Sequence, residues 1–205
     1  MSQPPPTHYK TIARTAEAEF KDRGSRFLAF AAPVDSIEAF KAFLQQVKAR
    51  HPKAAHHCLA YRIGPNGSTF RASDDGEPAG SAGRPILGQI DSKGLTNTAV
   101  IVVRYFGGTL LGVPGLINAY KTSTALALQL TPTVEKAIET PYMINCSYPQ
   151  LNEVLTLLRQ QQCTIGTISQ GLFCTIEAGV PIGRITEILY LLHQIPQLEV
   201  TPVKI

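Results

Sequence analysis

Five apolar residues, Ala99-Val100-Ile101-Val102-Val103, follow one another without a polar interruption. A strand with one wet face alternates, so this unbroken run predicts a strand buried on both faces at the centre of a sheet. After it, Leu116, Ala119, Tyr120, Ser123, Ala127 and Leu130 recur at three- and four-residue spacing, which predicts a helix. Between the two, Gly107, Gly108, Gly112 and Gly115 form a loop where missing Cβ atoms permit positive φ and let a ligand approach the main chain. The first N–H groups of the following helix lack intrahelical partners and favour an anion. The spacing fits neither the Walker loop nor the dinucleotide fingerprint. Glycines that merely turn the chain between a buried strand and a buried helix give the same pattern.

Upstream, Thr11 to Glu19 and Ser25 to Pro33 read as strands joined by the turn Phe20-Lys21-Asp22-Arg23-Gly24. Asp35 is the expected cap of a helix, with Glu38 as its reciprocal partner. Ile37, Phe40, Phe43, Leu44 and Val47 form its core stripe, and it stops near His51-Pro52. Strands His56 to Arg62 and Ser68 to Ser73 flank the turn Gly64 to Gly67. Thr131-Pro132-Thr133 and Pro141 mark a boundary. Beyond it the order is strand 142–147, helix 149–161, strand 163–169, strand 172–178, helix 182–193 and strand 198–203, the ferredoxin-like βαββαβ unit. The expected fold class is α+β in two domains, residues 1–134 and 135–205.

Composition adds a compartment and a charge asymmetry. The start, Met1-Ser2-Gln3-Pro4-Pro5-Pro6, lacks the basic and apolar regions of a secretory signal, and no apolar run reaches membrane-spanning length. The expectation is a cytoplasmic protein. Cys58, Cys146, Cys163 and Cys174 are scattered without metal or redox spacing, so they read as reduced core thiols. Residues 1–134 hold 15 Lys+Arg against 9 Asp+Glu, a balance of +6, while residues 135–205 hold 4 against 6, a balance of −2. The first half is therefore the candidate for an acidic partner, although no run of consecutive basic residues occurs.

A second informative stretch runs from Ser73 to Pro85, with Asp74, Asp75 and Glu77 among three glycines. That density of turn residues predicts a shaped loop. Three roles are open to its carboxylates: holding a divalent cation, although the EF-hand pattern is absent; capping Ser81 onward while pairing with Arg84 or Arg104; or acid–base work with His56 or His57. A Ser81–His57–Asp75 triad can be written down, but no nucleophile elbow supports it. No cofactor signature is present.

The stretches Ala55-His56-His57-Cys58-Leu59-Ala60-Tyr61-Arg62, Ser73 to Pro85, and Val103-Arg104-Tyr105-Phe106-Gly107-Gly108-Thr109-Leu110-Leu111-Gly112 closely resemble the IMPACT/YigZ family, and Gly24-Ser25-Arg26-Phe27 fits its opening motif. One departure is Pro114-Gly115, where the family usually has two glycines. The resemblance implies a first domain similar to the second domain of the fifth small-subunit ribosomal protein. It also implies a C-terminal domain similar to one of elongation factor G, and thus a connection with translation or stress. Eukaryotic members regulate translation under amino-acid starvation by competing for an activator of the eIF2α kinase, and they carry an extra N-terminal module that the resemblance does not reach.

The resulting expectation is a non-catalytic binding protein. In it Arg104 and the main chain at Gly107, Gly108, Gly112 and Gly115 hold a phosphate or carboxylate. Arg62, Arg84 and His57 flank the ligand, and Asp74, Asp75 and Glu77 position the arginines. RNA or a ribosome-associated factor is one expected partner, and a protein on the C-terminal sheet another; no membrane, metal or cofactor is expected. The alternative is a small enzyme acting on a phosphorylated or acyl substrate, with Asp75 or Glu77 as base and His57 as acid.

Overall fold

The chain forms β1 (His8–Ile12), β2 (Ala16–Asp22), β3 (Ser25–Pro33), α1 (Ile37–Arg50), β4 (His56–Ile63), β5 (Thr69–Ser73), α2 (Gly83–Ser92), β6 (Thr98–Tyr105), α3 (Gly112–Gln129) and β7 (Thr133–Ala137). There follow β8 (Glu139–Cys146), α4 (Leu151–Gln160), β9 (Thr164–Gln170), β10 (Cys174–Pro181), α5 (Ile185–His193) and β11 (Glu199–Pro202). This computed structural model describes residues 6–203, so most of the proline-rich start lies outside the described residues. Two units separate, one holding Tyr9–Lys136 and the other the described residues on either side. No described helix is long and apolar enough to cross a membrane.

In the first unit the sheet order is β2-β3-β6-β4-β5, so the apolar run sits at its centre. All four pairings are antiparallel. Side chains alternate between two cores. Val100 and Val102 pack with Ile86 and Ile90 of α2 and Leu116 and Tyr120 of α3. Ala99, Ile101 and Val103 pack with Phe40 and Val47 of α1. Covering both faces removes the need for a polar alternate, which is why the run is unbroken. β1 pairs with β7 in a separate two-stranded ribbon.

Several boundaries differ from the sequence pattern. The expected strand from Thr11 to Glu19 is two strands, because residues 13–15 leave the ribbon before β2 begins. β2 continues to Asp22 and turns through Arg23 (φ 45°) and Gly24 (φ 79°) alone, a two-residue hairpin with both positions left-handed. Ser36, rather than Asp35, caps α1, its hydroxyl accepting the Ala39 N–H at 3.2 Å. Helix α2 begins inside the stretch read as loop; Pro85 lies in its first turn, where no N–H is required.

The second unit has sheet order β11-β8-β10-β9, with Val154 and Leu158 of α4 and Ile188 and Leu192 of α5 packed on Ile144 and Ile176. This is the ferredoxin-like arrangement. On part of the opposite face a polar row crosses the strands: Asn145 donates to Glu199 at 3.1 Å and accepts from Thr175 at 2.8 Å.

Ile101 is fully buried against α1. Ile101→Ala is expected to destabilise the first unit by about 2–5 kcal/mol, read as a lower midpoint in urea followed by circular dichroism.

Candidate functional site

The antiparallel pairing of β6 brings Phe27 of β3 and His56 of β4 beside Arg104, where the glycine loop leaves the sheet. The acidic loop folds onto the same end. Asp75, at φ 44°, accepts the His57 backbone N–H on Oδ2 at 2.7 Å, and its carbonyl oxygen lies 2.7 Å from His56 Nδ1. Gly76 (φ 88°) follows, and a Cβ there would approach the His56 ring to 3.3 Å. The loop then turns Glu77 inward.

Glu77 and Arg104 form a buried ion pair, their side chains 3% and 7% exposed. Arg104 Nη1 donates to both Glu77 oxygens at 2.7 and 2.9 Å, and the Tyr120 hydroxyl of α3 donates to Oε1 at 2.8 Å. Cys58 Sγ lies 3.2 Å from that hydroxyl. The guanidinium also sits over the rings of Phe27 and Phe106, at 5.5 and 5.6 Å from their centroids. β4, β6, the acidic loop and α3 thus meet at one network. Burial pushes the Cys58 thiol up to about 12 and raises the Tyr120 hydroxyl, so both stay neutral and serve as hydrogen-bonding groups.

Asp74 supplies the missing cap of α2. Its Oδ1 accepts from Ala82 and Gly83 N–H at 3.0 and 2.8 Å and its Oδ2 from Gly80 N–H at 2.9 Å. Burial alone would raise its pKa; the three N–H donors and the Arg84 charge outweigh that and hold it below the ordinary carboxylate value. Gly83 is required by close packing, since a Cβ would come within 2.5 Å of the Ser73 nitrogen.

The glycine loop has one internal anchor. Gly107 lies so close to the β2–β3 hairpin that a Cβ would fall 1.9 Å from the Gly24 carbonyl carbon, and its N–H donates to Ser25 Oγ at 3.2 Å. Gly108 (φ 87°) and Gly112 (φ 69°) turn the chain. Among the described residues, no side chain or backbone carbonyl accepts from the N–H groups of residues 108–112. Phe106, Leu110 and Val113 around them are exposed. α3 carries no side-chain cap, so its positive end is open to solvent. Gly115 approaches Leu111 inside the first turn, and Pro114 has no N–H to give.

These placements redraw the expected site. Arg62 is not part of it. His56 pairs with Arg104 whereas Arg62 pairs with Thr98 at the other end of β6, about 20 Å away along the strand. There Arg62 binds Asp91 and the Gly67 carbonyl and stacks on Phe70. Arg104 is neutralised by Glu77 and acts as scaffold. Of the carboxylates only Glu77 positions an arginine directly; Asp74 caps a helix and Asp75 pins the loop to β4. Arg84 is exposed in the first turn of α2.

His57 is held neutral chiefly by burial, and its Nε2 lies 3.2 Å from the His51 carbonyl, which requires the proton on Nε2. The written triad is not assembled, because the buried Ser81 hydroxyl donates to the Pro78 carbonyl at 2.7 Å. Among the described residues no group of three His, Cys, Asp or Glu side chains is arranged to hold a metal. Tyr120 and Cys58 were legible only as core residues, and Gly24 only as part of a motif without assigned chemistry.

Residues 23–128, from the hairpin turn that meets Gly107 to the end of α3, match the family model of the Impact N-terminal domain. The chain belongs to the IMPACT family. It is 40% identical over 165 residues to the IMPACT family member YigZ of Escherichia coli K12, covering 80% of this chain and 81% of that one. It is 45% identical over 135 residues to an IMPACT family member of Thermus thermophilus, covering 66% and 72%. A crystal structure described as a hypothetical protein superposes with a TM-score of 0.75 at 34% identity, covering 97% of this chain and 98% of that one. The IMPACT model therefore spans the glycine hairpin, the acidic loop, the ion pair and α3.

Removing the Glu77 charge while retaining Arg104 leaves a buried cation. Glu77→Gln should cost about 3–5 kcal/mol in urea unfolding, and adding Arg104→Met should recover part of the loss. The stabilisation from Asp74 is present above the unfolded carboxylate pKa and is lost as pH falls through its lowered folded value. Asp74→Asn should therefore flatten the acid limb of the stability–pH curve measured by circular dichroism.

Proposed function

We propose that this protein is a cytosolic regulatory or binding protein, connected with translation or the stress response, that takes an anionic ligand on the main chain of residues 108–112. The observation that carries this reading is the row of N–H groups without protein acceptors, at the uncapped positive end of the 18-residue α3. RNA phosphate and a phosphorylated small molecule present the same oxygens to such donors. The translational connection rests on the resemblance to the IMPACT/YigZ family. Binding is favoured over catalysis because Glu77 has both oxygens engaged, Asp75 is tied to the His57 backbone N–H, and His57 spends its proton on a backbone carbonyl.

Fluorescence anisotropy with a labelled single-stranded RNA of about 20 nucleotides, beside competition by inorganic triphosphate, tests the reading. Affinity for RNA should fall steeply with salt. Gly112→Asp supplies a residue that tolerates left-handed backbone, its Cβ meeting Pro114 at an ordinary 3.9 Å, and brings a negative charge to the donors. It should weaken whichever anion binds by at least about tenfold. Salt-independent binding, or Gly112→Asp binding as tightly as the parent chain, would overturn the proposal.

A further inference from the structure

A sheet edge left unpaired is a template for another strand, and proteins blunt such edges with charge, proline or short length. The edges of the two larger sheets differ sharply in this respect. β2 carries Glu17, Glu19, Lys21 and Asp22, β5 carries Arg71, and β11 has four residues including Glu199 and Pro202. β9, with the sequence TIGTISQ, has seven residues and neither charge nor proline. On one side it pairs with β10; among the described residues no strand pairs with the other.

We propose that a second copy of this chain docks along β9, antiparallel and related by a two-fold axis. The absence of charge makes the strand compatible with itself, whereas each of the other edges carries charge. Register follows from Ile168. It pairs with the buried Ile176, so it faces the helix side of the sheet, yet it is 39% exposed. Placing it opposite its symmetry mate covers both copies. A bulge in β9 between Ile165 and Ile168 shortens the strand by one pairing position, and that register carries the β9–β10 turn of each copy past Thr164 of the other.

A knob and a groove then meet. Leu172 and Phe173 on that turn are 94% and 65% exposed. At the Thr164 end of the strand lies a groove of about 270 Å³ lined by Pro141, Met143, Thr164, Gly166, Gly179 and, as its one charged residue, Glu177. An isologous interface needs complementary features at opposite ends of one edge, and β9 has them. The result is a continuous eight-stranded sheet with each Leu172–Phe173 turn seated in its partner's groove.

Sedimentation equilibrium of the full chain up to about 100 μM tests this, a concentration that reveals an interface of modest size. The expected mass is twice the 22.2 kDa of one chain. Ile168→Lys, which sets like charges against each other across the axis, and Leu172→Asp, at a side chain too exposed to matter for folding, should each weaken association at least about tenfold. A single-chain mass throughout overturns the proposal and leaves the edge to an extended segment of another protein. A dimer that neither variant weakens overturns it too, because its interface lies elsewhere.

Discussion

The first unit depends on one buried ion pair. Glu77 comes from a loop and Arg104 from the end of the central strand, and neither charge is tolerable in that interior without the other. Apolar packing could close the same space at lower desolvation cost, but it would not fix the direction of the chain. A carboxylate that receives both an arginine and the Tyr120 hydroxyl fixes the loop, the strand end and α3 in one geometry. The glycine loop leaves directly beyond Arg104, so its exit is set by this junction.

The glycines divide by task. Gly107 and Gly83 permit backbones to touch, at the β2–β3 hairpin and at β5 respectively. Gly108 and Gly112 instead turn the loop through left-handed backbone without any close approach. Close contact thus anchors the loop at one point and leaves the following N–H groups facing solvent at the head of α3. A rigid strand end, a single anchor and an uncapped helix leave a row of main-chain donors at the head of α3.

Much of this was legible in the sequence. The apolar run at 99–103 announced a central strand because both faces are covered, and the stripes in α3, α4 and α5 announced helices because each packs one side. The βαββαβ order gave the second sheet. Capping from Ser81 onward was an open reading of the acidic loop, but the choice of Asp74 was hidden because it lies nine residues before Gly83, a distance that no local capping pattern reports. A pairing with Arg104 was also open, but which carboxylate makes it was hidden for the same reason. Arg62 and Arg104 are equivalent on paper, yet antiparallel register sends them to opposite ends of the sheet, and their partners, Asp91 and Glu77, are chosen by the fold.

Amide chemical-shift mapping during titration with a single-stranded RNA oligonucleotide tests the central claim most directly. The account predicts that the largest shifts fall on the N–H groups of residues 108–112, with the Arg62 end of β4 unchanged. Shifts concentrated away from this loop, or a loop that does not respond while RNA binds, would contradict it.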